Sequence, residues 1–307
     1  MSTGRHEASR GAAPLLRAPF KTRTDDGWTL RGERIEPLAP RAVAVVAHAM
    51  MADRRTLDRP PGDGLVTEIA RAGALVLCVD LRGHGESGPR AEEGARYRYD
   101  DFVERDLPAL LLAGREIACA RGLPLALVGH SLSAHAGLIA AGLWPRHAPD
   151  RIAAIAGTMW LPRFAPDLGH RIAEGALLGA WWLASLPRRR FAARRLRLGS
   201  ADEPLSYVQG FVRAWWRDAL CSADGARDYL AALGRVRVPV LAVASEGDRL
   251  LAPPAKVRRF CATIPHLHMR VVRRDEIDPP PGHMELVTDA RCRPLWREIA
   301  RFVVEGT

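Results

Sequence analysis

Short runs of consecutive apolar residues recur along this chain, separated by stretches of helical periodicity. Residues 42–47 read Ala-Val-Ala-Val-Val-Ala, comparable runs lie at 125–128 and 152–156, and further strand-like segments fall at 75–80, 238–244 and 269–272. Apolar runs this short, without alternation, suit strands buried on both faces. Between them, helical patterns fall at 64–72, 100–121, the small-residue run after 131, 255–261 and about 294–304. Pro108 is expected to kink or restart the long one. Near the start, 20–24 and 28–33 read as strands joined by Asp25-Asp26-Gly27, a hairpin signal. Strands alternating with helices predict an α/β fold, its mostly parallel central sheet flanked by helices.

The rhythm breaks between residues 160 and 225. No strand-like run is evident there; helix-like pieces carry Trp160, Trp181, Trp182, Trp215 and Trp216. The expected organisation is a disordered tail over 1–11, a first α/β core part over 12–159, an inserted helical cap or lid over 160–225, and a second core part over 226–307. The apolar run 176–186 is shorter than the roughly 20 residues a membrane span needs. Residues 1–14 are polar and lack the apolar stretch of a secretory signal.

Composition narrows the classes. Hydrophobic residues make up 48% of the 307, ample for a packed core. The formal charge of +10 resembles a nucleic-acid signal. However, lysine occurs only at Lys21 and Lys256, the arginines are spread along the chain, and no nucleic-acid motif accompanies them. Arg188-Arg189-Arg190 reads as a solvated helix face, with a handle for an anionic substrate as the alternative. The five cysteines show no C-x-x-C or zinc-type spacing, and Cys78 sits inside an apolar run. A reduced, cytoplasmic protein without a transmembrane segment is expected, requiring no metal or organic cofactor and binding no nucleic acid.

The chemistry centres on Leu125-Ala126-Leu127-Val128-Gly129-His130-Ser131-Leu132-Ser133, an apolar strand that stops at a glycine before a helical run. Ser131 stands at the apex of a strand–turn–helix, where its hydroxyl projects from the end of a parallel sheet. A serine is a poor nucleophile until a base takes its proton, and that base needs an orienting carboxylate. Asp248, in Ser245-Glu246-Gly247-Asp248, and His283, in Pro281-Gly282-His283-Met284, both fall just past predicted strands. Taken alone, Asp248 suits a helix cap and His283 a surface loop. The order Ser131, Asp248, His283 makes them a nucleophile, acid and base. Glu246 is the nearest competitor for the acid, whereas His84 and His130 are poorly placed for the base. The backbone amides of Leu132 and Met50 are the expected oxyanion donors.

These residues resemble those of serine hydrolases of the α/β-hydrolase superfamily over about residues 20–304. The matching positions are Gly129-His130-Ser131-Leu132-Ser133, His48-Ala49-Met50, Asp248 and His283. Asp80-Leu81-Arg82-Gly83-His84-Gly85-Glu86-Ser87 is similar to the superfamily's D-x-R-G-x-G-x-S loop, in which Asp80 and Arg82 would be structural. The Ala-Met pair, the Trp-rich cap and Gly282-His283-Met284 resemble bacterial predicted hydrolases of the serine-aminopeptidase-like group. Ala49 and Ser133 depart from the usual glycines, though both are small. The resemblance implies acyl transfer on a small-molecule substrate, with a carboxylic ester first. A thioester, a small amide or peptide, or an acyltransferase reaction are the alternatives on the same triad, and a non-catalytic binding protein is the non-enzymatic one. The cap tryptophans would line an apolar pocket if they face inward, and form the cap's own core if they do not.

Overall fold

The computed structural model describes residues 14–306; the expected tail over 1–11 lies outside them. The strands are β1 (Leu16–Arg23), β2 (Thr29–Glu36), β3 (Ala42–Ala47), β4 (Ala74–Val79), β5 (Leu125–His130), β6 (Arg151–Ile155), β7 (Arg190–Phe191), β8 (Glu203–Pro204), β9 (Val240–Ser245) and β10 (Leu267–Val272). The helices are α1 (Leu65–Arg71), α2 (Tyr99–Asp101), α3 (Leu107–Arg121), α4 (Leu132–Leu143), α5 (Leu168–Ser185), α6 (Leu205–Arg217), α7 (Tyr229–Leu233), α8 (Pro254–Phe260), α9 (Glu285–Thr288) and α10 (Arg293–Glu305).

Eight strands form one sheet in the order β1-β2-β4-β3-β5-β6-β9-β10. The β1–β2 hairpin, turning through residues 24–28, pairs antiparallel with β4; every other pairing in this sheet is parallel. Each residue of β3, β4, β5 and β9 is buried, which explains their unbroken apolar runs. Helices α1 and α10 pack together beside β3 and β4, while α3 and α4 pack together against β3, β5 and β6. From β3 the chain moves outward to β4, then returns past β3 to β5. This reversal opens a crevice at the carboxyl ends of β3 and β5, where open α/β sheets collect ligands.

Pro108 restarts the long helix as expected. It lies in the first turn of α3, where a missing N–H costs nothing, and residues 102–106 before it form a π-helical turn. The stretch between β6 and β9 differs from expectation in one respect. Residues 160–225 contain strands, since β7 and β8 form a two-residue antiparallel ladder. Pairs that short, one carrying Glu203 and Pro204, leave no apolar period to read.

A buried ion pair fastens this stretch to the sheet's flank. Lys256 on α8 reaches Glu174 on α5, both fully buried, with the lysine ammonium 5.5 Å from the Trp160 ring. Removing one partner strands a charge. Lys256→Met is therefore expected to cost about 3–5 kcal/mol in chemical denaturation, and Lys256→Met with Glu174→Leu to recover most of it. A single variant as stable as the parent would contradict this.

Candidate active site

Ser131 follows β5 directly and caps α4 with φ 54° and ψ −108°, a conformation that side chains rarely adopt. Its amide donates to the Ile155 carbonyl at 2.8 Å, and its own carbonyl accepts from Ala134 and His135. The helix returns so close to the strand that a Cβ on Gly129 would lie 2.5 Å from the Ala134 nitrogen. Ser133, where the resemblance leads one to expect glycine, is fully buried and makes a bridge. Its hydroxyl donates to the Ala47 carbonyl at 2.6 Å and accepts from the His130 amide at 2.9 Å, linking the ends of β3 and β5.

His283 and Asp248 meet beside this turn. His283 Nδ1 donates to Asp248 Oδ2 at 2.5 Å, which leaves Nε2 as the free nitrogen. The loops bearing them touch backbone to backbone, since a Cβ on Gly247 would fall 2.1 Å from the Pro280 carbonyl oxygen. Asp248 also accepts from the Leu251 amide at 3.0 Å, so it is a cap as well as a partner of the histidine. Burial would raise its pKa, but the bonds to His283 and to the amides of Ala252 and Leu251 hold it below the usual carboxylate value. No hydrogen bond joins Ser131 Oγ to His283 Nε2 among the described residues, although such contacts often tighten only with substrate present. Glu246 is exposed and accepts from the Arg274 amide, away from the histidine.

His130 has a part that its position in the sequence did not reveal. Its Nε2 donates to the His283 carbonyl at 3.0 Å, tying the histidine loop to the residue before Ser131. Met50 follows β3 and Leu132 opens α4, so the two expected oxyanion donors flank the crevice from adjacent strands. The segment around Met50 is held from two sides. His48 Nε2 accepts from the Leu81 amide, and its Nδ1 donates to the Ala49 carbonyl. Met51, at φ 56°, donates to Glu203 Oε1 at 2.8 Å, while its carbonyl accepts from the amides of Ser200 and Ala201. Glu203 is fully buried and also receives His84 Nε2 at 3.0 Å and the Tyr97 hydroxyl at 3.1 Å. Sequence reading missed Glu203, a lone acid in an irregular stretch.

Asp80 and Arg82 are buried in framework roles. Asp80 accepts from the amides of Arg54 and Glu86, and Arg82 binds Asp106 and Asp26. The tryptophans divide. Trp181 packs against Phe191, Tyr207 and Phe211, Trp215 covers Gly175, and Trp160 donates to the Leu251 carbonyl, whereas Trp216 is exposed. Trp181 and Trp215 thus pack the contact between α5 and α6. Among the described residues no three His, Cys, Asp or Glu side chains converge as a metal ion would require.

Fold and site together define an α/β-hydrolase, with a serine at the strand–helix turn and a paired histidine and aspartate beside it. The family model for serine aminopeptidases of family S33 matches residues 39–276, and the chain belongs to that family. No curated protein sequence matches it at a significant level. A soluble variant of monoglyceride lipase from Saccharomyces cerevisiae shares the fold with a TM-score of 0.67 at 15% identity, over 100% of this chain and 99% of that one. An esterase from Pyrococcus furiosus gives 0.58 at 17% identity, over 94% and 90%. A monoacylglycerol lipase from Paleococcus ferrophilus gives 0.56 at 15%, over 96% and 100%.

Two outcomes follow from this geometry. Glu203→Ala leaves the Met51 amide, the Tyr97 hydroxyl and His84 without their acceptor, and is expected to cost about 3 kcal/mol in chemical denaturation; a loss within error of zero would contradict the network. The second concerns acid. Burial holds His48 down to about 4, and His130 and His135 down to about 3. Unfolded, each titrates near 6.5. Below that pH the unfolded chain binds protons that the fold refuses, so stability falls as pH drops from about 6.5 toward 4, by up to about 1.4 kcal/mol per unit for each histidine. His84 acts in the opposite sense, because Glu203 lifts its pKa against burial. Thermal melting at pH 5 should therefore give a lower Tm than at pH 7.5, and an equal or higher one would contradict the assignment.

Proposed function

We propose that this enzyme cleaves a carboxylic ester by acyl transfer through Ser131, His283 and Asp248. The observation that carries the reading is the His283–Asp248 pair, anchored through His130 to the residue before a strained serine. His283 Nε2 takes the Ser131 proton as Oγ attacks the substrate carbonyl, and the amides of Met50 and Leu132 receive the oxyanion. His283 then protonates the leaving alcohol. A water molecule, deprotonated by the same nitrogen, releases the acid and restores Ser131. Asp248 fixes the tautomer that presents Nε2 and stabilises the imidazolium formed in each half-reaction.

Several features support the finer points. An ester is favoured because the solved structures of like fold are named esterases and monoglyceride or monoacylglycerol lipases. Residues 160–225 serve as a cap, a role in keeping with the bond from Glu203 to the Met51 amide. A cytoplasmic setting suits five cysteines that are all free. No described helix is long and apolar enough to cross a membrane.

Hydrolysis of a chain-length series of p-nitrophenyl esters tests the reading, with acyl-CoA thioesters and aminoacyl p-nitroanilides alongside. Ester turnover should dominate. Ser131→Ala should abolish it to within the uncatalysed rate, and Asp248→Asn should lower kcat by about 10⁴ while the protein stays folded. Full activity in Ser131→Ala, or anilide turnover exceeding that of every ester, would overturn the proposal.

A further inference from the structure

Helix α5 carries apolar side chains on its outer side as well as its inner one. The positions it turns inward include Glu174, Leu178 and Ser185, its three buried residues, with Trp181 half-buried on the same side. The side facing water carries Leu168, Ile172, Ala176, Ala180 and Leu183, all exposed. At about 100° per residue these five fall within roughly one third of the helix circumference. Leu168 is 68% exposed, Ile172 62% and Leu183 59%. They are not scattered singly, as surface leucines usually are. Of the eleven exposed large hydrophobics among the described residues, eight lie between residues 168 and 216.

The charge on the adjoining segment is equally one-sided. Residues 186–198 contain six arginines and no acid. Arg190 and Arg194 pair with Asp202 and Glu92, but Arg188, Arg189, Arg195 and Arg197 make no ion pair among the described residues. Exposed Leu196 and Leu198 interleave with the last of these. A soluble anion has no use for the apolar face. A second copy laid on the same face would bring the arginines no counter-charge, because a two-fold contact uses the same patch on both partners and residues 168–198 carry one acid, Glu174, buried against Lys256. A spanning role is ruled out for a helix of this length and composition. What satisfies both features is a surface apolar below and negative above.

We propose that α5 and residues 186–198 form a docking surface for an anionic lipid bilayer. The Leu168–Leu183 face lies in the interface, and Arg188, Arg189, Arg195 and Arg197 contact the headgroups. The surface lies within the segment read as the cap but includes none of Ser131, His283, Asp248, Met50 and Leu132, so vesicle binding and ester turnover test the two readings separately.

Flotation of the full chain with vesicles of pure phosphatidylcholine, and with vesicles containing phosphatidylglycerol, tests it. Binding to the anionic vesicles should exceed binding to the neutral ones by at least about tenfold and weaken with added salt. Ile172→Glu with Leu183→Glu, and separately Arg188→Glu with Arg189→Glu, should each reduce it by about tenfold or more, with Tm and turnover of a soluble ester unchanged. Absence of binding, equal binding to both lipids, or binding indifferent to both double variants would overturn the proposal. So would a dimer in sedimentation that Ile172→Glu dissociates, because the face would then belong to self-association.

Discussion

Everything at the candidate site depends on a close approach of two backbones, β5 and the first turn of α4. Gly129 leaves room for the Ala134 amide, and Ser131 is forced to φ 54° between them. A residue held in such a well needs surroundings that over-determine it. Here they do: the Ile155 carbonyl takes the Ser131 amide, Ser133 ties the turn to β3, and His130 ties it to the His283 loop. The position of Ser131 is thus set by β5, by its two neighbours β3 and β6, and by one loop.

The segment between β6 and β9 joins this site by buried polar contacts. Glu203 gathers the Met51 amide, His84 and Tyr97, while Lys256 and Glu174 link α8 to α5. Such contacts fix register more sharply than apolar packing, because each misplacement leaves a buried donor or charge unpaired. Met51 adjoins Met50, so the contact that fastens the segment also shapes the loop expected to receive the oxyanion. The outward side of the same segment is apolar and arginine-rich. It therefore presents a fixed inner face to the core and an unpartnered one to its surroundings.

Much of this was legible in the sequence, and the limits have physical reasons. The core strands could be read because burial on both faces demands unbroken apolar runs, and Pro108 restarted the helix where proline is tolerated. Ser131, Asp248 and His283 were read from residue type and order at strand ends; His283 and Asp248 meet, and His130 ties their loop to the turn that carries Ser131. Ser133 looked like a departure from a glycine; only tertiary contact shows its hydroxyl bridging Ala47 and His130. Glu203 was invisible because nothing local distinguishes an acid whose partners lie more than a hundred positions away. The β7–β8 ladder was missed because two-residue strands have no period. The tryptophans allowed two readings, and Trp181 and Trp215 pack the contact between α5 and α6.

The central claim is that Ser131 is the nucleophile activated by His283. Reaction of the intact protein with a fluorophosphonate, followed by mass mapping of the modified peptide, tests it most directly. A single phosphonylated site at Ser131, lost in His283→Ala although that variant remains folded, is the predicted result. No adduct, or one on another residue, would contradict it.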